Sequence, residues 1–241
     1  MDEAASFNLA EAALALAAVA RPGLDLAPYR RHFSDLVAAA GRHRASGARR
    51  SDALIRAVSG DHGYRGDREG YDRLENADLA RVVERRRGIP VSLGILYIAT
   101  ARGLGWRMSG LNTPGHFLVR LDGEDEGDDV VIDPFSGRPL DPGEPGSLPV
   151  AEDRAILIRL QNNIKSRLLD QERYEEASPV LERMLWILPR SAALWWESAL
   201  VEAELGRIAG AIARLERCVG LDETGRARVE ALKRALTAKL N

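Results

Sequence analysis

The sequence predicts an α+β domain followed by an all-helical tail. Three observations carry the prediction. Val91 to Leu104 is an apolar run of helix length with little polar face, three short runs of β character follow it between Trp106 and Ile132, and the pattern beyond about residue 150 is helical throughout. A helix that is apolar nearly all round belongs in an interior. Short strands packed on it, ahead of a separate helical region, give two parts, residues 1–149 and 150–241.

The chain opens with a small helical lead-in. Ala5 to Ala20 reads as an Ala/Leu-rich amphipathic helix ended by Pro22-Gly23. It is not expected to be a secretory leader, because such a segment has a basic n-region, whereas Asp2 and Glu3 stand here and the first cation is Arg21. Leu26, Tyr29, Phe33, Leu36 and Val37 recur at helical spacing and predict a second helix over Leu26 to Ala40, stopped by Gly41. Asp61 to Glu75 holds three glycines and many charges and reads as a loosely packed loop. Leu79, Val82 and Val83 then mark an amphipathic helix running to Arg87-Gly88.

After the breaker Gly88-Ile89-Pro90 comes the central buried helix, closed by Gly103 and Gly105. Trp106 to Leu111, His116 to Leu121 and Val130 to Ile132 are expected as antiparallel strands. Asp122 to Asp129 carries six acidic residues and two glycines, which suits a solvated hairpin connection and lacks the ligand spacing of a calcium loop. Pro134 to Pro149, rich in proline and glycine, reads as a linker.

The tail repeats itself. A shift of 34 residues matches Leu160 with Leu194, Arg173 with Arg207, Ala177 with Ala211, and Leu181-Glu182-Arg183 with Leu215-Glu216-Arg217. That period is the signature of tetratricopeptide helix pairs. It places helices at about 160–170, 173–188, 191–205 and 207–220, with a final helix at about 224–240.

Composition excludes several classes of function. With 34 Lys and Arg against 36 Asp and Glu, the net charge of −2 supplies no global field for nucleic acid or an anionic membrane. No apolar run reaches the length needed to span a bilayer, so neither nucleic acid nor membrane is an expected partner and a cytoplasmic location is expected. A single cysteine, Cys218, forbids an internal disulfide and a cysteine-rich zinc site. No metal or other cofactor is expected.

The stretch from Tyr71 onward carries a more specific pattern. Asn76-Ala77-Asp78-Leu79, Val83 to Leu93 (VERRRGIPVSL), Pro114 to Arg120 (PGHFLVR) and Ile132-Asp133-Pro134-Phe135 resemble the bacterial SirB-type family of transglutaminase-like proteins. The resemblance extends upstream to Leu24-Asp25-Leu26 and Tyr29 and downstream to the tetratricopeptide tail. One departure is Ala80, where members often carry a second Asn.

The resemblance implies a papain/transglutaminase-like core, a buried central helix on a small antiparallel sheet. It also implies three chemical stations, a nucleophile at the N-terminus of the buried helix, a histidine on a following strand and an acidic residue on the next. These fall on Ser92, His116 and Asp133. General chemistry is consistent with such an arrangement, since a helix N-terminus favours an oxyanion, an imidazole serves as base and a carboxylate orients it. The related enzymes use cysteine at the first station. A thiol ionises beside an imidazolium, whereas a serine hydroxyl needs a base during attack, and serine at a helix start is also an ordinary cap.

Two functions follow. The first is a pseudoenzyme or weakly active transglutaminase-like protein that binds a protein or peptide partner through its cleft or its helical repeats, with a regulatory role implied by the family's naming after control of SirC expression. The second is a serine-dependent acyltransferase or amide hydrolase using Ser92, His116 and Asp133. His116 and Asp133 are expected to pair, because polar groups at buried strand ends need partners. His32, His43 and His62 are expected as solvated side chains, Glu84-Arg85-Arg86-Arg87 as a solvated helix end, and Trp186, Trp195 and Trp196 chiefly as packing residues. Cys218 is expected to pack within the second repeat.

Overall fold

The computed structural model describes residues 7–113, 115–123, 129–140, 148–221 and 225–238. Packing divides the chain into two units, 1–160 and 161–241.

In the first unit, α1 (Leu9–Ala20) starts at Asn8, whose side chain accepts from the Ala10 and Glu11 amides. Residues 5 and 6 of the expected helix lie outside the described residues. The second helix, α2 (Ala27–Ala45), runs past Gly41, the expected stop. A helical glycine costs only about 1 kcal/mol against alanine. Here the buried Leu36, Ala39 and Ala40 hold the helix in the core on one side of Gly41, so tertiary packing overrides the local breaker. A short α3 (Arg50–Ile55) passes directly into a π-helical turn, Arg56–Asp61.

The segment after the π turn is anchored throughout. A short β1 (Arg65–Gly66) pairs in parallel with β2 (Arg87–Gly88), the two flanking the 3-10 turn Leu74–Ala77 and α4 (Leu79–Arg85). Helix α4 stops earlier than the glycine predicts, because Arg86 adopts a left-handed conformation (φ 58°) that breaks the helix and aims residues 87–88 into the ladder.

The central helix is α5 (Pro90–Gly103), with Leu93, Ile95, Leu96, Tyr97 and Ile98 fully buried. Proline at its first turn loses no hydrogen bond there. It packs on a five-stranded sheet of β3 (Met108–Asn112), β4 (Phe117–Leu121), β5 (Val130–Asp133), β6 (Arg138–Leu140) and β7 (Val150–Ala151). The spatial order is β6-β5-β4-β3-β7 and every adjacent pair is antiparallel. Strand β6 comes from the stretch expected to be a linker, Pro134 to Pro149, and β7 opens the region expected to be helical throughout, because each adds an edge to the sheet. Arg138–Leu140 pairs along β5 and Val150–Ala151 along β3, and residues 141–147 lie outside the described residues. Of the acidic connection Asp122 to Asp129, residues 124–128 also lie outside them, while Leu121 and Val130 on either side are register partners.

Helix α6 (Asp153–Asp170) crosses into the second unit, which continues as α7 (Tyr174–Ile187), α8 (Ala192–Glu204), α9 (Ile208–Leu221) and α10 (Arg226–Ala238). These are the helices the 34-residue period predicts, and no strand occurs among the described residues after 151. Ala199, Ala211, Leu215, Cys218, Val229 and Leu236 form one core, against which Trp195 and Trp196 pack. Trp186 instead stands 62% exposed. A buried carboxylate, Glu202, accepts from Ser178 Oγ at 2.8 Å and faces Arg207 and Arg214, tying α7, α8 and α9 together.

Candidate functional site

Ser92 lies in the first turn of α5 and is 0% exposed. Its hydroxyl accepts the Ile89 amide at 3.1 Å and lies 2.7 Å from the Asn76 carbonyl and 3.0 Å from that of Ile89. A hydroxyl has one proton to give, so these backbone groups saturate it. Space is also exhausted. A Cβ added at Gly88 would sit 2.6 Å from Ser92 Oγ, so only glycine permits the β2 backbone to lie there.

Asn76 closes over Ser92 near the end of a strap, residues 61–77, most of which (Asp61 to Glu75) the sequence suggested was loose. Its anchor is Asp67, buried and bonded through Oδ2 to Arg85 at 2.9 Å and through Oδ1 to the Gly70 amide at 2.9 Å. Arg85 also donates to Asn76 Oδ1 at 2.9 Å, and Asn76 Nδ2 donates to the Gly70 carbonyl at 2.7 Å. Burial alone would raise the Asp67 carboxyl, but hydrogen bonds from Gly70, Arg85 and Asn76 together hold it below its ordinary value. Arg85 is therefore the strap's internal counterion rather than part of a solvated helix end.

His116 is exposed in the turn leading into β4. Its carbonyl accepts from Thr113 Oγ1 at 2.5 Å and from Arg159 Nη2 at 2.9 Å, while its ring makes no hydrogen bond among the described residues. Arg159, on α6, also donates to Asn112 Oδ1 at 2.8 Å, so the turn is held by its backbone. Asp133 ends β5 and uses Oδ1 to accept the Phe135 amide at 2.9 Å, the Asx turn that an Asp-Pro pair favours. Among the described residues no hydrogen bond joins any two of Ser92, His116 and Asp133. Register accounts for part of this. Val119 opposes Ile132, so continuation of the ladder sets Asp133 against Leu118, two residues beyond His116.

Asp133 instead neighbours a different hydroxyl pair. Tyr97 of α5 shares a hydrogen bond with Ser59 of the π turn at 2.7 Å. Burial pushes the Tyr97 phenol up to about 12, against the pull of the Ser59 hydrogen bond and with a further push from the Asp133 charge. Ser59 is half-buried.

One cluster carries no sequence signal. His32, Tyr64 and Arg86 come from α2, the π-turn exit and the end of α4, and meet with Tyr64 Oη 2.7 Å from His32 Nε2. Arg86 donates to both and lies 4.7 Å over the Tyr64 ring. The His62 ring packs edge-on at 5.1 Å. Burial, then the Arg86 charge, then His62 push His32 down to about 4, and burial followed by Arg86 lowers His62 as well. His43 pairs with Asp61 at 2.8 Å. These three histidines are thus engaged, not merely solvated. Among the described residues no group of three His, Cys, Asp or Glu could hold a metal ion, and no helix is long and apolar enough to cross a membrane.

Comparison with known proteins agrees with this architecture. A UPF0162 protein of Xylella fastidiosa (strain Temecula1) is 34% identical over 179 residues, covering 66% of this chain and 63% of its own length. A UPF0162 protein of Vibrio cholerae is 31% identical over 163 residues, covering 61% and 60% respectively. The chain thus spans less than two thirds of the length of these relatives. Human F-box only protein 21 is 40% identical over 57 residues, 24% of this chain and 9% of that protein. No solved structure matches significantly. A tetratricopeptide repeat model matches residues 164–237. A transglutaminase-like superfamily model matches residues 27–184, well over half of the sequence, and the chain belongs to that superfamily.

Proposed function

We propose that this chain is a SirB-type member of its superfamily that acts as a binding or regulatory module for a protein or peptide partner, with the enzyme's frame retained and acyl transfer lost or very weak. The observation that carries the reading is the state of Ser92. A nucleophile must meet both substrate and base, and this hydroxyl is fully buried and bonded on every side to backbone. The exposed His116 ring, which makes no hydrogen bond to a described residue, is not positioned to draw its proton. Tetratricopeptide repeats present helical surfaces suited to protein partners.

The test is labelling of the purified chain with a fluorophosphonate serine probe beside Ser92→Ala and His116→Ala. Equal, background labelling of all three is expected. Labelling lost in both variants would instead establish the acyltransferase or hydrolase reading, with Ser92 as nucleophile, His116 as base and Asp133 as its orienting carboxylate.

A further inference from the structure

The two arginines that α4 carries, Arg81 and Arg85, each meet a carboxylate at 2.9 Å, Glu84 and Asp67. Arg86, just past its end, meets none among the described residues; its guanidinium is turned on His32 and Tyr64 instead. To hold that place its backbone keeps a φ of 58°, a conformation that a side-chain-bearing residue retains only where its surroundings impose it.

Hydrogen counting shows what the cluster lacks. Arg86 Nη1 donates toward His32 Nε2 and Nη2 lies 3.5 Å from Nδ1, so both ring nitrogens face guanidinium N–H groups. A neutral imidazole carries a hydrogen on one nitrogen and accepts only at the other, so one of these contacts sets donor against donor. The Tyr64 hydroxyl accepts from Arg86 and has its own hydrogen to place, 2.7 Å from the same Nε2. The His62 ring, 5.1 Å from that of His32, brings a further N–H and makes no hydrogen bond among the described residues. N–H and O–H groups therefore outnumber acceptors. Tyr64 is 1% exposed and closes the cluster from within, while His32, His62 and Arg86 are half-buried and reach solvent.

We propose that His32, His62 and Arg86 form a binding site for a tetrahedral oxyanion, a phosphoryl or sulfate group, whose oxygens supply the acceptors the cluster lacks. The guanidinium fork suits such a group, and bonds to a charged acceptor are the strong ones. The other charges acting on these rings are Asp35, Asp61 and Arg42; neither carboxylate bonds to the cluster, and Asp61 is taken by His43 at 2.8 Å. Arg42 and Arg86 balance the two carboxylates. The anion's own charge is therefore met by protons taken up on His32 and His62, which burial and the Arg86 charge otherwise hold neutral. Anion and proton then strengthen each other's binding. None of these residues bonds to Ser92, so the site stands or falls separately from the binding-module reading, which serine-probe labelling decides.

The experiment is an NMR titration of the full chain with sodium sulfate at constant ionic strength, read on the ring signals of the four histidines. Sulfate keeps both its charges across the pH range used, so any pH dependence belongs to the protein. Saturable shifts of the His32 and His62 signals are expected, with affinity about tenfold higher at about pH 5.5 than at about pH 7.5. His116, outside the cluster, should not follow them. Arg86→Asn, which suits a left-handed backbone and removes the cation, should abolish the shifts. His62→Gln leaves the contacts among Arg86, His32 and Tyr64 in place and should weaken binding several-fold; it carries the test if Arg86→Asn fails to fold. Arg49→Gln, at an exposed arginine elsewhere, should bind as the parent chain does. Arms with inorganic phosphate and with a short phosphoserine peptide distinguish a free anion from a phosphorylated chain, and binding of either at these signals supports the site. Absence of saturable shifts, shifts shared equally by His116, equal affinity at the two pH values, or unchanged affinity in His62→Gln overturns it.

Discussion

The Ser92 hydroxyl lies 2.7 Å from the main-chain carbonyl of Asn76, and so pins the strap 61–77 to the start of the central helix. Removing that hydroxyl leaves the buried Ile89 amide only its long 3.4 Å bond to the Asn76 carbonyl and takes away one of the strap's ties. Ser92→Ala should lose about 1–3 kcal/mol of stability in chemical denaturation. In Ser92→Cys, a thiol in the same sealed place should react with Ellman's reagent only as fast as the chain opens. Reaction at the rate of an exposed thiol would show that the site is open in solution.

Asp67 and Arg85 hold the other end of the strap at 2.9 Å, with the Arg85 side chain 26% exposed. Breaking a fully buried ion pair costs 3–5 kcal/mol, and this partly wetted one should cost about 2 kcal/mol in Asp67→Ala. Amide exchange across 61–77 should accelerate, while the β3–β4 ladder stays protected. The Asp67 carboxyl titrates below its unfolded value, so its contribution is present above the unfolded value and is lost as pH falls through the folded one.

His32 gives a second acid-side dependence of its own. Its folded value is about 4 against 6.5 unfolded, so between those limits the unfolded chain binds more protons than the folded one. Its contribution is whole above pH 6.5 and declines as pH falls toward 4. His32→Gln should flatten the stability profile in that window, measured by denaturation at successive pH values. An unchanged slope would refute the burial of a neutral imidazole beside Arg86.

Gly137 and Gly105 both have positive φ, 66° and 74°. A left-handed alanine costs about 1–2 kcal/mol, which should be the whole effect of Gly105→Ala, where nothing lies within 4 Å of the new Cβ. At Gly137 the Cβ would sit 2.4 Å from Ser59 Oγ, the partner of Tyr97. Gly137→Ala should therefore cost more and release the Ser59–Tyr97 hydrogen bond, read by thermal melts and by tyrosine absorbance.

Local pattern revealed the elements whose cause is local. Val91 to Leu104 is apolar on all sides and became the buried α5, and the 34-residue match between Leu181-Glu182-Arg183 and Leu215-Glu216-Arg217 marked the helix pairs. The stop at Gly41 did not occur, since core contacts on α2 outweigh one glycine. Strand β6 was hidden in a proline-rich stretch and β7 at the start of the helical part, because edge strands tolerate proline and take their definition from a neighbour's unpaired backbone. The cluster of His32, Tyr64 and Arg86 had no pattern to read, its members lying 32 and 22 residues apart.

The sequence by itself determined the α+β class, the repeat tail and the residues standing at the three stations, because periodicity and motif are properties of the chain. Whether a station meets its neighbours is a property of register and of cover. Only the tertiary structure decided that Asn76 closes over Ser92, that Asp133 turns to Phe135, and that Arg65 faces Arg87, since each depends on segments brought together from distant parts of the chain.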